Sequence, residues 1–378
     1  EKDITDSVGE VIAEDILSDI NLPPFSNSAM DGFAVKFNKN IKNWSISGEI
    51  SAGNYIHSDI NDLSAVHIMT GAKIPDNFDT VIPVEDTIIR ENEIILNTNA
   101  RYSFGMNVRK KGEDLPKNSL AIKKGTFLKP QHIALAAACG KSHIKIYDKL
   151  KYGILTTGDE LVDINENPEN DKIRASNLYT LIAAVKEIGQ TPVNLGIVKD
   201  DRENIKEKIS SSLNSDIDVL ITTGGVSVGK YDYVKDIFEE IGITKKFHKV
   251  NIRPGKPVLY GTFQKKEKTV LIFALPGNPV SALVTFNLFI KDILLSGYNN
   301  SELVRINAKL SDDIDKSDSK RHFIRGELRN LSDGFIVSLV GNQSSGNLAQ
   351  MSKANCLIVI EEDRINPRKG EIAECIMI

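Results

Sequence analysis

Between residues 151 and 295, short β-branched runs alternate with amphipathic stretches, and this alternation constrains the fold more than any other feature of the 378-residue chain. Strands buried on both faces read as apolar runs and the helices covering them read with a 3.6-residue period, so the pattern predicts a doubly wound, mostly parallel sheet. The runs are YGILTT (152 to 157), VNLGIV (193 to 198), DVLITT (218 to 223) and VLIFAL (270 to 275). Helices are expected from Ser176 to about Ile188, from a cap at Asp200 or Asp201 to about Leu213, over 232 to 241, and from Pro279 to Leu295. Ser, Asp or Pro stands at each of these starts, where such residues cap or preset a first turn.

The flanks follow a different pattern. Residues 22–127 show short strands separated by Gly, Pro and Asn clusters, which predicts an inserted β-rich module. Helix-like stretches at 8 to 17 and 129 to 140 bracket it, so residues 1–21 and 128–150 are expected to pack together as a helical linker domain. Alternation in FIVSLV (335 to 340) and CLIVI (356 to 360), with turns at 332 to 334 and 366 to 370, predicts a small C-terminal β domain over 298–378. The fold class is therefore α/β multidomain, with the parallel-sheet domain over 151–297. A chain of this length exceeds one domain of roughly 150 residues.

Composition removes several classes of function. Lys plus Arg is 47 against 51 Asp plus Glu, a net charge of −4, so bulk electrostatics does not suit nucleic acid or an anionic membrane. Cys139, Cys356 and Cys375 are scattered and odd in number, which fits a reducing compartment, the cytoplasm, and offers no disulfide framework. The most apolar stretch, 270 to 295, is broken by Pro276, Gly277, Asn278 and Lys291, so no membrane span is expected. Six His without paired spacing argue against zinc, and no G-x-S-x-G supports a serine hydrolase. The sequence opens at Glu1, so a native N-terminus upstream is expected.

Ligands of open α/β sheets bind at the carboxyl ends of the strands, and four loops qualify: TTGDEL (156 to 161), KDD (199 to 201), TTGGVSVGKYD (222 to 232) and LPGNPVSA (275 to 282). Gly224 and Gly225 let backbone approach a phosphate at a helix start, with Ser227 beside them, and the turn of Pro276, Gly277, Asn278 and Pro279, followed by Ser281, can do the same. Taken singly, each is also an ordinary turn. GGVSVGKY (224 to 231) comes within one residue of a Walker A loop, but Tyr231 replaces the small hydroxyl that would meet magnesium. Asp159, Glu160, Asp200, Asp201 and Asp232 stand at strand ends or helix starts; one such acid is a cap, whereas several converging acids require a cation, for which Mg2+ is the candidate. Lys249, Arg253 and Lys256 around a Pro-Gly turn, and Arg109, Lys110 and Lys111, are either solvated surface or donors for an oxygen-rich anion.

Seven strings resemble the molybdopterin molybdenumtransferase (molybdenum insertase) family, related to the E domain of gephyrin. They are LPPFSNSAMDGFAV (22 to 35), IMTGAKIP (68 to 75), RKKGEDL (109 to 115), TTGDEL (156 to 161), GGVSVGKYDYVK (224 to 235), IRPGKPV (252 to 258) and LPGNPVSA (275 to 282), in the family's order. The resemblance implies a cytoplasmic, Mg2+-dependent enzyme that takes adenylated molybdopterin and molybdate, cleaves the adenylate, and releases molybdenum cofactor and AMP. It assigns functional roles to Asp31, Thr70, Asp114, Glu160, Asp200 and Asp232; of these, Glu160, Asp200 and Asp232, at strand ends or helix starts, are expected to place the metal. It assigns binding roles to Lys249, Arg253, Pro276 and Pro279, and makes 151–297 the molybdopterin-binding domain. It further implies a homodimer whose active cleft takes the α/β domain of one subunit and the β module of the other. Arg253 departs from the Lys that many members carry, which keeps the charge but alters donor geometry.

Two rivals compete. A molybdopterin adenylyltransferase would share the glycine and PGNP loops but would not need the SNSAMDG and KKGED strings. A non-catalytic pterin-binding scaffold would have no use for so many acids.

Overall fold

The computed structural model describes residues 1–54, 60–225, 234–266, 268–297 and 303–378. The chain divides into two compact units, Glu1–Ile146 and Tyr147–Ile378.

In the first unit, among the described residues, six strands form one sheet in the order Thr80–Pro83, Gly32–Val35, Ser64–Ile68, Asn43–Ile50, Glu93–Leu96 and Thr87–Arg90. Side chains alternate across it. Phe33 and Val35 join Trp44, Ala65, Ile82 and Ile94 in one cluster, while Ala34 joins Val66, Ile68 and Val81 in another. Gly32 is required where this sheet is tightest: a Cβ there would stand 2.2 Å from the Ile82 carbonyl oxygen.

The helix expected over 8 to 17 is not formed. Val11 bridges Phe127, Ile12 bridges Ile146, and Ile16–Leu17 pairs with Leu120–Ile122. The β-branched Val8, Val11, Ile12 and Ile16 lose rotamer freedom in a helix, and neighbouring extended segments satisfy their backbone groups instead. Of the two bracketing stretches, the second alone is helical, over Pro130–Ala138. Ile12 and Ile16 nonetheless pack with Leu128, Ala136 and Cys139, so the two bracketing stretches share a core.

The second unit holds the expected α/β sheet. Its strands are β1 (Lys151–Thr157), β2 (Thr191–Val198), β3 (Val219–Thr223), β4 (Thr244–His248), β5 (Leu259–Lys265) and β6 (Lys268–Leu275). Their order is β2-β1-β3-β6-β5-β4; the first four are parallel, and at one edge β5 pairs antiparallel with both β6 and β4. Helices α1 (Ser176–Glu187), α2 (Arg202–Asn214), α3 (Val234–Ile241) and α4 (Pro279–Thr285) cover the two faces. Leu178, Leu181 and Val185 of α1 pack on Ile154, Ile221 and Phe273, whereas Ile205 and Ile209 of α2 and Ile237 of α3 pack on Leu220 and Ile272. Each buried side chain of this kind contributes about 1.5–3 kcal/mol.

Asp201 is the residue that caps α2, its Oδ1 accepting the Asn204 N–H at 2.9 Å. The helix expected from 279 to 295 is a composite: α4 runs into a π-helical segment, Phe286–Lys291, and then Asp292–Gly297. Among the described residues a third six-stranded sheet contains Arg305–Leu310, Arg321–Leu331, Gly334–Leu339, Cys356–Ile360 and Ile372–Met377, joined by Ile252–Arg253. Arg321–Leu331 also pairs with Cys356–Ile360, which curls the sheet on itself. A shared core of Val280, Val284, Ile252, Phe323 and Val359 joins this domain to the α/β sheet. No described helix is long and apolar enough to cross a membrane.

Candidate active site

The carboxyl ends of β1, β3 and β6 meet around a cavity of about 530 Å³. Glu160 and Thr157 line it after β1, Thr223, Gly224 and Gly225 after β3, and Pro276, Gly277, Asn278 and Pro279 after β6. Parallel pairing aligns these ends: Thr156 lies opposite Thr223, and Thr223 opposite Leu275. Gly224 makes the convergence possible. Its φ is +91°, and a Cβ on it would stand 2.5 Å from the Thr157 carbonyl oxygen.

The walls carry polar atoms without partners among the described residues: the hydroxyls of Thr156 and Thr223 and Asn177 Oδ1. Buried polar groups are normally paired, so such a concentration at strand ends marks where a polar ligand belongs. The N-terminus of α1 opens here as well, with Ser176 and Asn177 in the lining and no side chain capping it. A twelve-residue helix presents partial positive charge and amide N–H groups at that end, which suits an anion.

Asp200 lies beside this cavity, its backbone N–H donating to Asp159 Oδ1 at 3.1 Å. Burial pushes its carboxyl above the ordinary Asp range; the Thr157 hydroxyl pulls the other way, and the carboxylates of Glu160 and Asp159 add to the rise. Among the described residues no three His, Cys, Asp or Glu side chains form a metal-ligand group. Mg2+, however, is commonly held by one or two carboxylates together with substrate phosphate. Glu160, in the cavity lining, and Asp200, with a buried oxygen that has no partner among the described residues, fit that donor chemistry. Ser227 and Asp232 lie outside the described residues.

The remaining candidates fall elsewhere. Ser281 is buried within α4 behind the lining. Lys249 is exposed and holds a φ of +69°. Arg253 sits on the short strand that pairs with Arg321 and His322; it lines a second cavity of about 330 Å³ and lies 3.6 Å from Asp318.

In the first unit, three of the singled-out strings are hydrogen-bonded to one another. Gly71 N–H donates to the Ser28 carbonyl at 2.8 Å, Ser28 N–H to that of Ala72 at 3.0 Å, and Val108–Arg109 pairs with Asn27–Ser28. On this frame Asp31 accepts from Thr70, and Asp114 Oδ2 lies 2.5 Å from Arg109 Nη2. All three functional candidates of the unit, Asp31, Thr70 and Asp114, are exposed.

Sequence reasoning missed Asn177, Ser176 and the threonine hydroxyls as site groups. The threonines at 156–157 and 223 were a usable signal, because hydroxyls at the ends of buried strands have nothing apolar to do there. Asn177 carried none, being one polar residue at the start of an amphipathic helix. Gly346, which also lines the cavity, shows that the C-terminal domain reaches the site.

A mixed α/β sheet with a polar, glycine-walled cavity at its parallel strand ends defines a ligand-binding protein of the strand-end type. Three family models match along the chain: the MoeA N-terminal region (domain I and II) over 1–140, a probable molybdopterin binding domain over 153–296, and the MoeA C-terminal region (domain IV) over 307–378. A molybdopterin molybdenumtransferase from Haemophilus influenzae is 34% identical over 374 residues, covering 97% of this chain and 91% of the relative. One from Bacillus subtilis is 31% identical, covering 99% and 89%. The crystal structure of the molybdopterin biosynthesis MoeA protein of Pyrococcus horikoshii superposes with a TM-score of 0.82 at 28% identity, covering all of this chain and 94% of that one. The chain belongs to the molybdopterin molybdenumtransferase family.

Proposed function

We propose that this chain inserts molybdenum into molybdopterin, using the adenylated pterin and molybdate as substrates and releasing molybdenum cofactor and AMP. The observation that carries the reading is the 530 Å³ strand-end cavity with its unpaired hydroxyls, amide oxygen and open helix N-terminus, which lies within the segment matched by the molybdopterin-binding model. The names of the curated relatives supply the molybdenum transfer. The adenylate and its cleavage rest on the resemblance carried by the seven strings.

In this scheme Gly224, Gly225, Ser227 and the 276–279 turn, with Ser281 behind it, receive the phosphates, helped by the N-terminus of α1. Glu160 and Asp200, together with Asp232, hold Mg2+. When bound, the ion neutralises charge on the phosphoanhydride and so favours its cleavage. Lys249 and Arg253 meet molybdate or the anionic groups of the pterin. Asp31, Thr70 and Asp114 act on the same substrate from the partner protomer of a homodimer. The location is cytoplasmic, in keeping with three free, buried thiols.

The test incubates the full chain with Mg2+ and molybdate, once with adenylated molybdopterin and once with molybdopterin plus ATP. Insertion predicts consumption of the adenylate with stoichiometric AMP and active cofactor, scored by reconstituting a molybdenum apoenzyme. Accumulation of adenylate in the second tube would instead identify an adenylyltransferase. An unchanged adenylate pool in the first would identify a scaffold.

A further inference from the structure

Asn177 is the second residue of α1, 100 positions before Gly277, yet its Nδ2 donates to the Gly277 carbonyl at 2.7 Å. The residue is 7% exposed, and the other end of its side chain, Oδ1, has no partner among the described residues. The orientation is fixed by chemistry. Turning the carboxamide over would set oxygen against oxygen at Gly277, so the donor must face the turn and the acceptor must face away.

Stability does not explain this residue. Asn is a weak helix former, and an unpaired buried oxygen costs free energy that an alanine or serine would avoid. What the bond does is tie two walls of one cavity together: the start of α1 and the turn at 276–279 both line it. The carbonyl it holds belongs to the turn's central glycine, which packs 3.7 Å, measured from an ideal Cβ position, from the Gly224 Cα. A shift of that turn would therefore disturb the glycine wall opposite.

We propose that Asn177 is a positioning residue for this site: its carboxamide locks the 276–279 turn against α1 in the shape that receives the phosphate end of the substrate. The proposal rests on the reading of the cavity as an adenylate site. A phosphate held by the turn is held alike before and during reaction, so loss of the lock weakens binding more than turnover.

The experiment uses the full-length chain with Asn177→Ala and Asn177→Asp, each checked by thermal unfolding, and AMP as the calorimetric probe. Asn177→Asp keeps the shape but removes the donor; Asn177→Ala removes it without adding charge. Both are expected to weaken AMP binding about tenfold, and to raise the KM for the adenylate while kcat stays within about twofold. Asn177→Ala is further expected to unfold at or above the wild-type temperature. Wild-type AMP affinity in both folded variants would overturn the role of Asn177 alone. A fall in Tm with normal affinity in the folded fraction would also overturn it, by making the clamp purely structural. No AMP binding by the wild type would remove the cavity reading and this proposal with it.

Discussion

Asp31 accepts two hydrogen bonds from Thr70, one from Oγ1 and one from the backbone N–H, each 2.6 Å long. The two residues are 39 positions apart, in two strings that the sequence singled out separately. The Thr70 hydroxyl, followed by its N–H, holds the Asp31 carboxyl below the ordinary Asp value. Asp31 therefore stays ionised into mildly acid solution. A carboxyl whose folded pKa is depressed contributes stability above its unfolded pKa and loses it as pH falls through the folded one. Thr70→Val removes the larger of the two bonds, so its Asp31 titrates closer to the ordinary value by carbon-detected NMR and its acid-side loss of stability is smaller. An unshifted titration would contradict the assignment.

Gly224→Ala should destabilise the second unit by about 2 kcal/mol or more, because the left-handed backbone and the Thr157 carbonyl both oppose a Cβ. Gly346→Ala provides the control. It lines the same cavity, but nothing lies within 4 Å of its Cβ position and no left-handed backbone is involved. Thermal unfolding of the pair should show a fall in Tm for the first and almost none for the second.

Asp200 works in the opposite sense to Asp31. Its folded carboxyl is raised, by burial first, so the folded state binds more protons than the unfolded chain between the ordinary and the raised pKa. Stability is therefore lost as pH rises through that window, and the loss persists at neutral pH. Asp200→Asn should relieve it and raise Tm at pH 7. Added Mg2+ should raise the Tm of the wild type through mass action and leave the variant nearly unmoved. Equal Mg2+ responses would remove Asp200 from the metal site.

Arg325 is 1% exposed, and its guanidinium donates to the carbonyls of Ser344, at 2.9 Å, and Asn342. The next residue, Ser345, accepts the Val280 N–H of α4 at 3.1 Å, and Gly346 follows in the cavity wall. Arg325→Met keeps the bulk but strands two carbonyls, a loss of about 2–4 kcal/mol. Chemical denaturation should record that cost, together with a raised KM, since the turn it supports borders the site.

The parts of the fold legible in the sequence are those where burial imposes a period. The runs ending at Thr157, Val198, Thr223 and Leu275 are strand ends in the structure, and their loops include the cavity lining. The antiparallel edge was not legible, because β4 (TKKFH) is charged and mostly exposed and so lacks an apolar signature. The stretch at 8 to 17 misled because apolar residues at helical spacing, when β-branched, serve an extended chain equally well once partner strands arrive from a hundred residues away. The π segment at Phe286–Lys291 and the Asn177–Gly277 bond depend on packing between distant elements, which no local pattern encodes. The strings carrying Asp31, Thr70 and Asp114 could be found only by likeness to a family; their spacing is irregular and their backbone pairing is nonlocal.

Single-turnover release of AMP from the adenylated pterin, with Mg2+ and molybdate in excess, tests the strand-end site most directly. The account predicts that Glu160→Gln and Asp200→Asn slow that step by about a hundredfold or more while the protein stays folded. Release at the wild-type rate from both variants would contradict it.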